Sequence, residues 1–122
     1  MKRIIAIFAV AALLAPAAAV AQERMSDARY IAASRCLAYA DLPQLASDGA
    51  DFTRLREASE TGRRTREIVA QAQENARRTR VTARSWGEDE RSVQQLRQPR
   101  EDACTGFVET GLVQLPTSSP AS

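Results

Sequence analysis

The sequence contains no histidine, and its single lysine is Lys2. These two absences remove the usual general base near neutral pH, Schiff-base chemistry and most zinc sites. There is no G-x-S-x-G, no phosphate-binding P-loop and no dinucleotide fingerprint. Neighbouring acids occur at Glu88–Glu90 and at Glu101–Asp102. A glycosidase needs a carboxylate pair facing across a cleft, whereas acids clustered at a helix start serve the helix dipole. The acidic runs also lack the alternating oxygen ligands of a calcium loop. We therefore expect no enzymatic activity, no metal site and no cofactor. No stretch alternates apolar and polar residues as a half-buried strand would, and no internal repeat occurs, which points to an all-α fold.

Long hydrophobic runs are also missing, with one exception at the start. Ile4 to Ala15 is an apolar run of twelve residues, short of the about 20 that a membrane span needs. Lys2 and Arg3 precede it, Pro16 breaks it, and Ala19-Val20-Ala21 is a small-x-small cleavage site. The expectation is a secretory signal peptide over 1–21, cleaved between Ala21 and Gln22, and a protein of the periplasm or the secreted space. Without this segment the 17 Lys+Arg fall to 15, all arginine, against 15 Asp+Glu. The expected mature chain is thus neutral, and the basic pI that would suggest nucleic-acid binding disappears. No membrane span is expected after cleavage.

Cysteine is limited to Cys36 and Cys104. With no C-x-x-C and no histidine, a structural disulfide is the expectation in an oxidising compartment. Large apolar residues are sparse as well. From Gln22 onward, Leu, Ile, Val and Phe make up 16 of 101 residues, under the roughly 20% that marks weak folding. Alanine-rich helices in close contact can still pack, and a 36–104 bridge would add roughly 4 kcal/mol by restricting the unfolded chain.

What the sequence does have is helical periodicity. The stretch Phe52–Trp86 has no proline and one internal glycine, Gly62. Leu55, Ala58, Gly62, Thr65, Val69, Ala72, Ala76, Thr79, Ala83 and Trp86 recur at steps of three and four, one face of a helix. We favour one long, continuous or bent central helix, with a break at Thr61-Gly62 as the alternative. A straight helix of this length runs about 50 Å, and in hairpin register it sets the two cysteines too far apart for a bridge unless the connector runs back along it. Before it, Ser26 is the expected N-cap of a helix over Asp27–Asp41, ended by Pro43. Leu45 is placed to fold back over the core, and Asp51 to cap the central stretch. After Trp86-Gly87, a helix starts at Glu88–Glu90 with Val93 and Leu96 inward, and Pro99 is expected to interrupt it and open a new segment. Ala103, Cys104, Phe107 and Val108 form a buried face, and Gly111 suits the C′ position. The expected architecture is a small disulfide-stapled bundle or hairpin of three to four helices, with 22–113 as one domain and 114–122 as a disordered tail.

The central stretch offers two surfaces. Arg63, Arg64, Arg66, Arg77, Arg78, Arg80 and Arg84 lie away from the small-residue seam, and Glu60, Glu67 and Glu74 sit among them. The i,i+4 pairs Glu60–Arg64, Arg63–Glu67 and Glu74–Arg78 make much of this a solvated face. An excess of cations remains at Arg77, Arg78, Arg80 and Arg84, the candidate site for an anion or an acidic partner. The seam is expected to pack on the protein's own helices, a second copy or a foreign helix being the alternative. Trp86 is expected to cap the core, and Tyr30 and Tyr39 to be ordinary packing, with a groove lined by the two as the alternative.

In size and single bridge the chain is similar to small periplasmic helical proteins such as acid-stress chaperones and immunity proteins against cell-wall amidases. The segment C-T-G-F-V-E-T-G at 104–111 resembles a cysteine-glycine-aromatic motif of the latter. The second glycine is displaced and the later cysteines are missing, so membership does not follow. The functional expectation is a small exported helical protein that binds another protein or an envelope component without catalysis. A self-associating structural or stress-related envelope protein is the alternative.

Overall fold

The computed structural model describes residues 24–116. The expected signal segment 1–21 and residues 117–122 of the expected tail lie outside the described residues.

Helix α1 spans Asp27–Ala40. It starts where the Ser26 hydroxyl accepts from the Arg29 N–H at 3.1 Å, which satisfies one of the free donors of the first turn. It ends before Leu42-Pro43, and a short 3-10 turn, Pro43–Leu45, follows. Leu42 and Leu45 are both buried there, so Leu45 does fold back over the core. Ala33, Cys36, Ala38 and Tyr39 are buried along α1, and this helix touches each of the three helices that follow. The protein is thus arranged around α1, and its small side chains let three neighbours approach.

The central stretch is two helices, α2 (Thr53–Ser59) and α3 (Arg66–Arg84). The continuous helix favoured by the 3–4 spacing is broken at Gly62, which has φ +85°. The reason lies in contacts with the first turn of α1 and the residues just before it. Arg24 donates to the Arg63 carbonyl at 2.8 Å. Arg64 donates to the Met25 carbonyl at 2.7 Å and to the Asp27 carboxylate at 2.8 Å, and its guanidinium lies 4.3 Å from the Tyr30 ring centroid. The Arg64 side chain is 2% exposed. A helix continuing through 62 would carry Arg64 out to solvent beside Glu60, where the sequence pattern puts it. Instead Arg64 is drawn inward, and Thr65 becomes the N-cap of α3, accepting from the Ile68 N–H at 3.2 Å. Asp51 acts at the start of α2, where its carboxylate accepts from the Thr53 N–H at 2.9 Å. That bond holds its pKa below the usual aspartate value.

Helix α4 runs unbroken from Glu90 to Glu109 with Pro99 inside it. The expected interruption at Pro99 does not occur, although an internal proline forfeits one helical hydrogen bond. The buried positions Ser92, Leu96, Arg100, Cys104 and Phe107 step by four, four, four and three through the proline, so packing on both sides holds one axis. Arg100 completes that stripe. Its side chain is 2% exposed, and Nη1 lies 2.7 Å from Oδ2 of Asp48, itself 9% exposed. The contact is close but not aligned as a hydrogen bond, and the buried Arg100 Nε has no acceptor. At the other end, Gly111 (φ +80°) and Leu112 close α4, with N–H groups bonded to the carbonyls of Val108 and Phe107. This is the Schellman arrangement.

Two apolar clusters result. Ala33, Cys36, Phe52, Leu55, Cys104, Phe107 and Val113 form one; Tyr39, Leu42, Leu45, Ala83 and Leu96 form the other. The Cys36–Cys104 disulfide lies in the first, with 5.0 Å between Cα atoms. With the break at Gly62 and the connector running back from Gln44 to Phe52, α3 lies parallel to α1, Tyr30 beside Arg64 and Tyr39 beside Ala83, and the hairpin register that separated the cysteines does not apply. Gln114, expected in the tail, forms an antiparallel bridge with Asp51 through N–H···O bonds of 2.8 and 3.0 Å. Among the described residues the fold is all-α, four helices with no strand beyond that isolated bridge.

Candidate functional site

The seam of α3 does pack on the protein's own helix α1, with Ala72 and Ala83 buried. Because these side chains are small, the helices meet closely along their contact line and diverge on either side of it. The larger opening is a groove of about 330 Å³ between α1, α3 and α4. Arg35 and Tyr39, one turn apart on α1, line one wall. Arg78 and Thr82, also one turn apart on α3, line the other, with Trp86 at the end and Leu96 of α4 beneath. The smaller opening, about 160 Å³, lies on the opposite side of the α1–α3 contact and includes Tyr30 and Arg80. Of these two only the first reaches the 300–1,000 Å³ range of small-molecule sites; depressions of about 590 and 410 Å³ on α4, beside Gln94 and beside Val108, are larger but more open to solvent.

Trp86 corrects an expectation. It is 41% exposed rather than a cap buried on the core. The left-handed turn at Gly87 (φ +95°) ends α3 beside it. Two side chains fix that turn. The Gln44 amide donates to the carbonyls of Ala83 (3.2 Å) and Gly87 (2.9 Å). The Ser92 hydroxyl lies 2.6 Å from the Trp86 carbonyl and 2.7 Å from the Asp89 carboxylate, and donates to one at a time. The Ser92 contact also holds the Asp89 pKa down. The indole therefore stands on an anchored backbone.

Tyr39 is 8% exposed. Burial raises its pKa above 10.0; Arg35 pulls it down and Asp102 pushes it up. The phenol thus stays protonated and available as a donor over the physiological range.

The four arginines singled out from the sequence do not converge. Arg77 and Arg78 both bind Glu74, at 2.7 and 2.9 Å, and these bonds lower the Glu74 pKa from 4.5 to about 2. Arg78 also lines the larger groove and Arg80 the smaller one, while Arg84 is exposed. Of the expected i,i+4 pairs, Glu74–Arg78 is present, whereas Arg64 pairs with Asp27 instead of Glu60. Sequence reasoning missed Arg35 and Thr82. The available signal was the i,i+4 placement of Arg35 and Tyr39 on a helix whose next face carries Cys36.

Among the described residues no three His, Cys, Asp or Glu side chains are grouped to hold a metal ion. No helix there is long and apolar enough to cross a membrane. Comparison with protein-family models, with curated proteins and with solved structures gives no match.

Proposed function

We propose that this is a small exported protein with a non-catalytic binding role toward a protein or envelope component, and that the α1–α3–α4 groove is its binding site. One observation carries this reading. A lone, half-exposed tryptophan on a fixed turn stands beside two arginines and a nearly buried tyrosine in a depression of suitable size. Aromatic and arginine side chains are the residue types that dominate binding energy at interfaces. The disulfide is compatible with the exported location that residues 1–21 suggest.

The test is affinity capture from an envelope extract with three forms of the oxidised protein. These are the wild type, Arg35→Ala/Trp86→Ala in the groove, and Arg77→Ala/Arg84→Ala on the outer face of α3. Loss of capture with the groove variant alone supports the site. Loss with the outer-face variant alone moves the site to that face, and no specific capture by the wild type overturns the binding role. Self-association is the second reading, favoured by the exposure of Val81 (55%) and Val108 (39%). Light scattering decides it: a monomer at every working concentration removes it.

A further inference from the structure

We propose that the groove takes a small apolar carboxylate, an anionic head on a flat apolar body, and this rests on the groove being the binding site as just argued. The first argument is the balance of donors and acceptors. Among the described residues, no side-chain hydrogen bond or ion pair engages the Arg35 guanidinium, the Tyr39 hydroxyl, the Thr82 hydroxyl or the Trp86 indole N–H, and no acid lines the groove. Tyr39 is more than nine-tenths buried, yet its oxygen is not sealed from solvent, so its hydroxyl opens on the groove. Of the acids that act on its lining residues, Glu74 is held by Arg77 and Arg78, and Asp102 acts on Tyr39. A site made of free donors selects an acceptor, and guanidinium groups favour a planar carboxylate that accepts two bonds.

The second argument is the apolar part. Leu96 forms the floor and the Trp86 indole one end. A hydrated inorganic anion gains nothing from those surfaces, whereas an aromatic or branched aliphatic group stacks on the indole and covers the leucine. The third argument is size. At about 30 Å³ per water-sized group, a volume of about 330 Å³ holds roughly eleven non-hydrogen atoms. That is a phenyl ring with a short acid side chain, supplied either as a free acid or as the carboxyl end of a polypeptide finishing in a large apolar residue.

The protein's one tryptophan supplies the assay, because the oxidised full chain gives a single indole N–H signal in a nitrogen–proton correlation spectrum. The probes are 3-phenylpropionate, its uncharged amide, sodium sulfate, and a four-residue acetylated peptide ending in phenylalanine with a free carboxylate. We expect a saturable shift of the Trp86 signal with 3-phenylpropionate, and about tenfold weaker binding of the amide, as loss of a charge-assisted contact implies. Sulfate should leave the signal unmoved. Arg35→Gln should weaken the acid about tenfold without affecting the amide, and Arg77→Gln should change neither. Tighter binding of the peptide than of the free acid assigns the ligand to a polypeptide end, and the reverse assigns it to a free acid. Equal shifts with acid and amide, or no saturation with any carboxylate, overturn the proposal. If that happens while Arg35→Ala/Trp86→Ala still abolishes capture from extract, the ligand class is wrong and the groove remains the site.

Discussion

Replacing Asp48 by Asn should destabilise this protein more than most single changes, and restoring neutrality at Arg100 should undo most of the loss. Asp48 has two tasks. One carboxylate oxygen accepts from the Ala50 N–H at 3.2 Å and shapes the turn, which Asn can still do. The other faces Arg100 at 2.7 Å, with side chains 9% and 2% exposed. Arg97 stands 3.9 Å from the same oxygen but is 46% exposed. Asp48→Asn leaves the Arg100 cation buried without its anion, a situation that costs about 3–5 kcal/mol. For a domain of this size that lowers Tm by about 15 °C or more. Arg100→Leu leaves the anion with half-exposed Arg97 as counter-ion and should cost less, about 1–3 kcal/mol. The double variant Asp48→Asn/Arg100→Leu removes both charges and puts an apolar residue into the stripe between Leu96 and Cys104. It should lie within about 1–2 kcal/mol of wild type, because a buried pair is often no better than the packing that replaces it. The assay is urea unfolding of all four oxidised proteins, followed by far-ultraviolet circular dichroism. The reasoning fails if Asp48→Asn costs under about 1 kcal/mol, or if the double variant is as unstable as the two singles added together.

Three further outcomes follow from the same structure. Reducing the disulfide opens a loop with a sequence separation of 68 residues, which should remove about 4 kcal/mol; helical circular dichroism as heat-resistant with reductant as without would contradict this. Gly62→Ala forces an alanine into the left-handed region and brings its Cβ 2.6 Å from Arg24 Cδ. Since the arginine can move aside, a loss of about 1 kcal/mol is expected, read from the urea midpoint. Glu74 has its pKa lowered from 4.5 to about 2 by Arg77 and Arg78. Its contribution is therefore complete above pH 4.5 and lost as pH falls towards 2. Glu74→Gln should lower Tm near neutral pH and approach the wild-type value near the acid limit.

The sequence is informative wherever a local rule has no tertiary competitor. Ser26, Gly111 and Leu45 act where caps, the C′ position and apolar burial place them. The cysteine pairing is legible for the same reason: with two cysteines and no metal-binding pattern there is a single partner to choose. The two helix-boundary failures share one cause, arginines that go inside. Arg64 is drawn to Asp27 and the Met25 carbonyl, which turns a continuous helical stripe into two helices. Arg100 fills a buried position one residue after a proline, so the stripe that carries α4 through Pro99 is invisible if arginine is assumed to face water. The candidate site is less legible still. The cationic excess of α3 is evident in the sequence, but the arginine that joins Arg78 at the groove is Arg35, more than forty residues earlier on another helix.

The pairing of Asp51 with Gln114 and the burial of Val113 against Phe52 and Leu55 bear on how such a chain matures. A polypeptide emerging from its N-terminus presents Ala33, Cys36 and Leu55 long before Cys104, Phe107 and Val113 exist to cover them. No stretch ending short of Val113 completes the cluster that holds the disulfide, although the cluster ending at Leu96 is complete in sequence earlier. The disulfide-bearing cluster closes only when nearly all of the described residues are present. Until then the Cys36 thiol is open to whatever oxidant or foreign thiol it meets. A chain released before Val113 would leave that cluster open, whatever the other one has already formed.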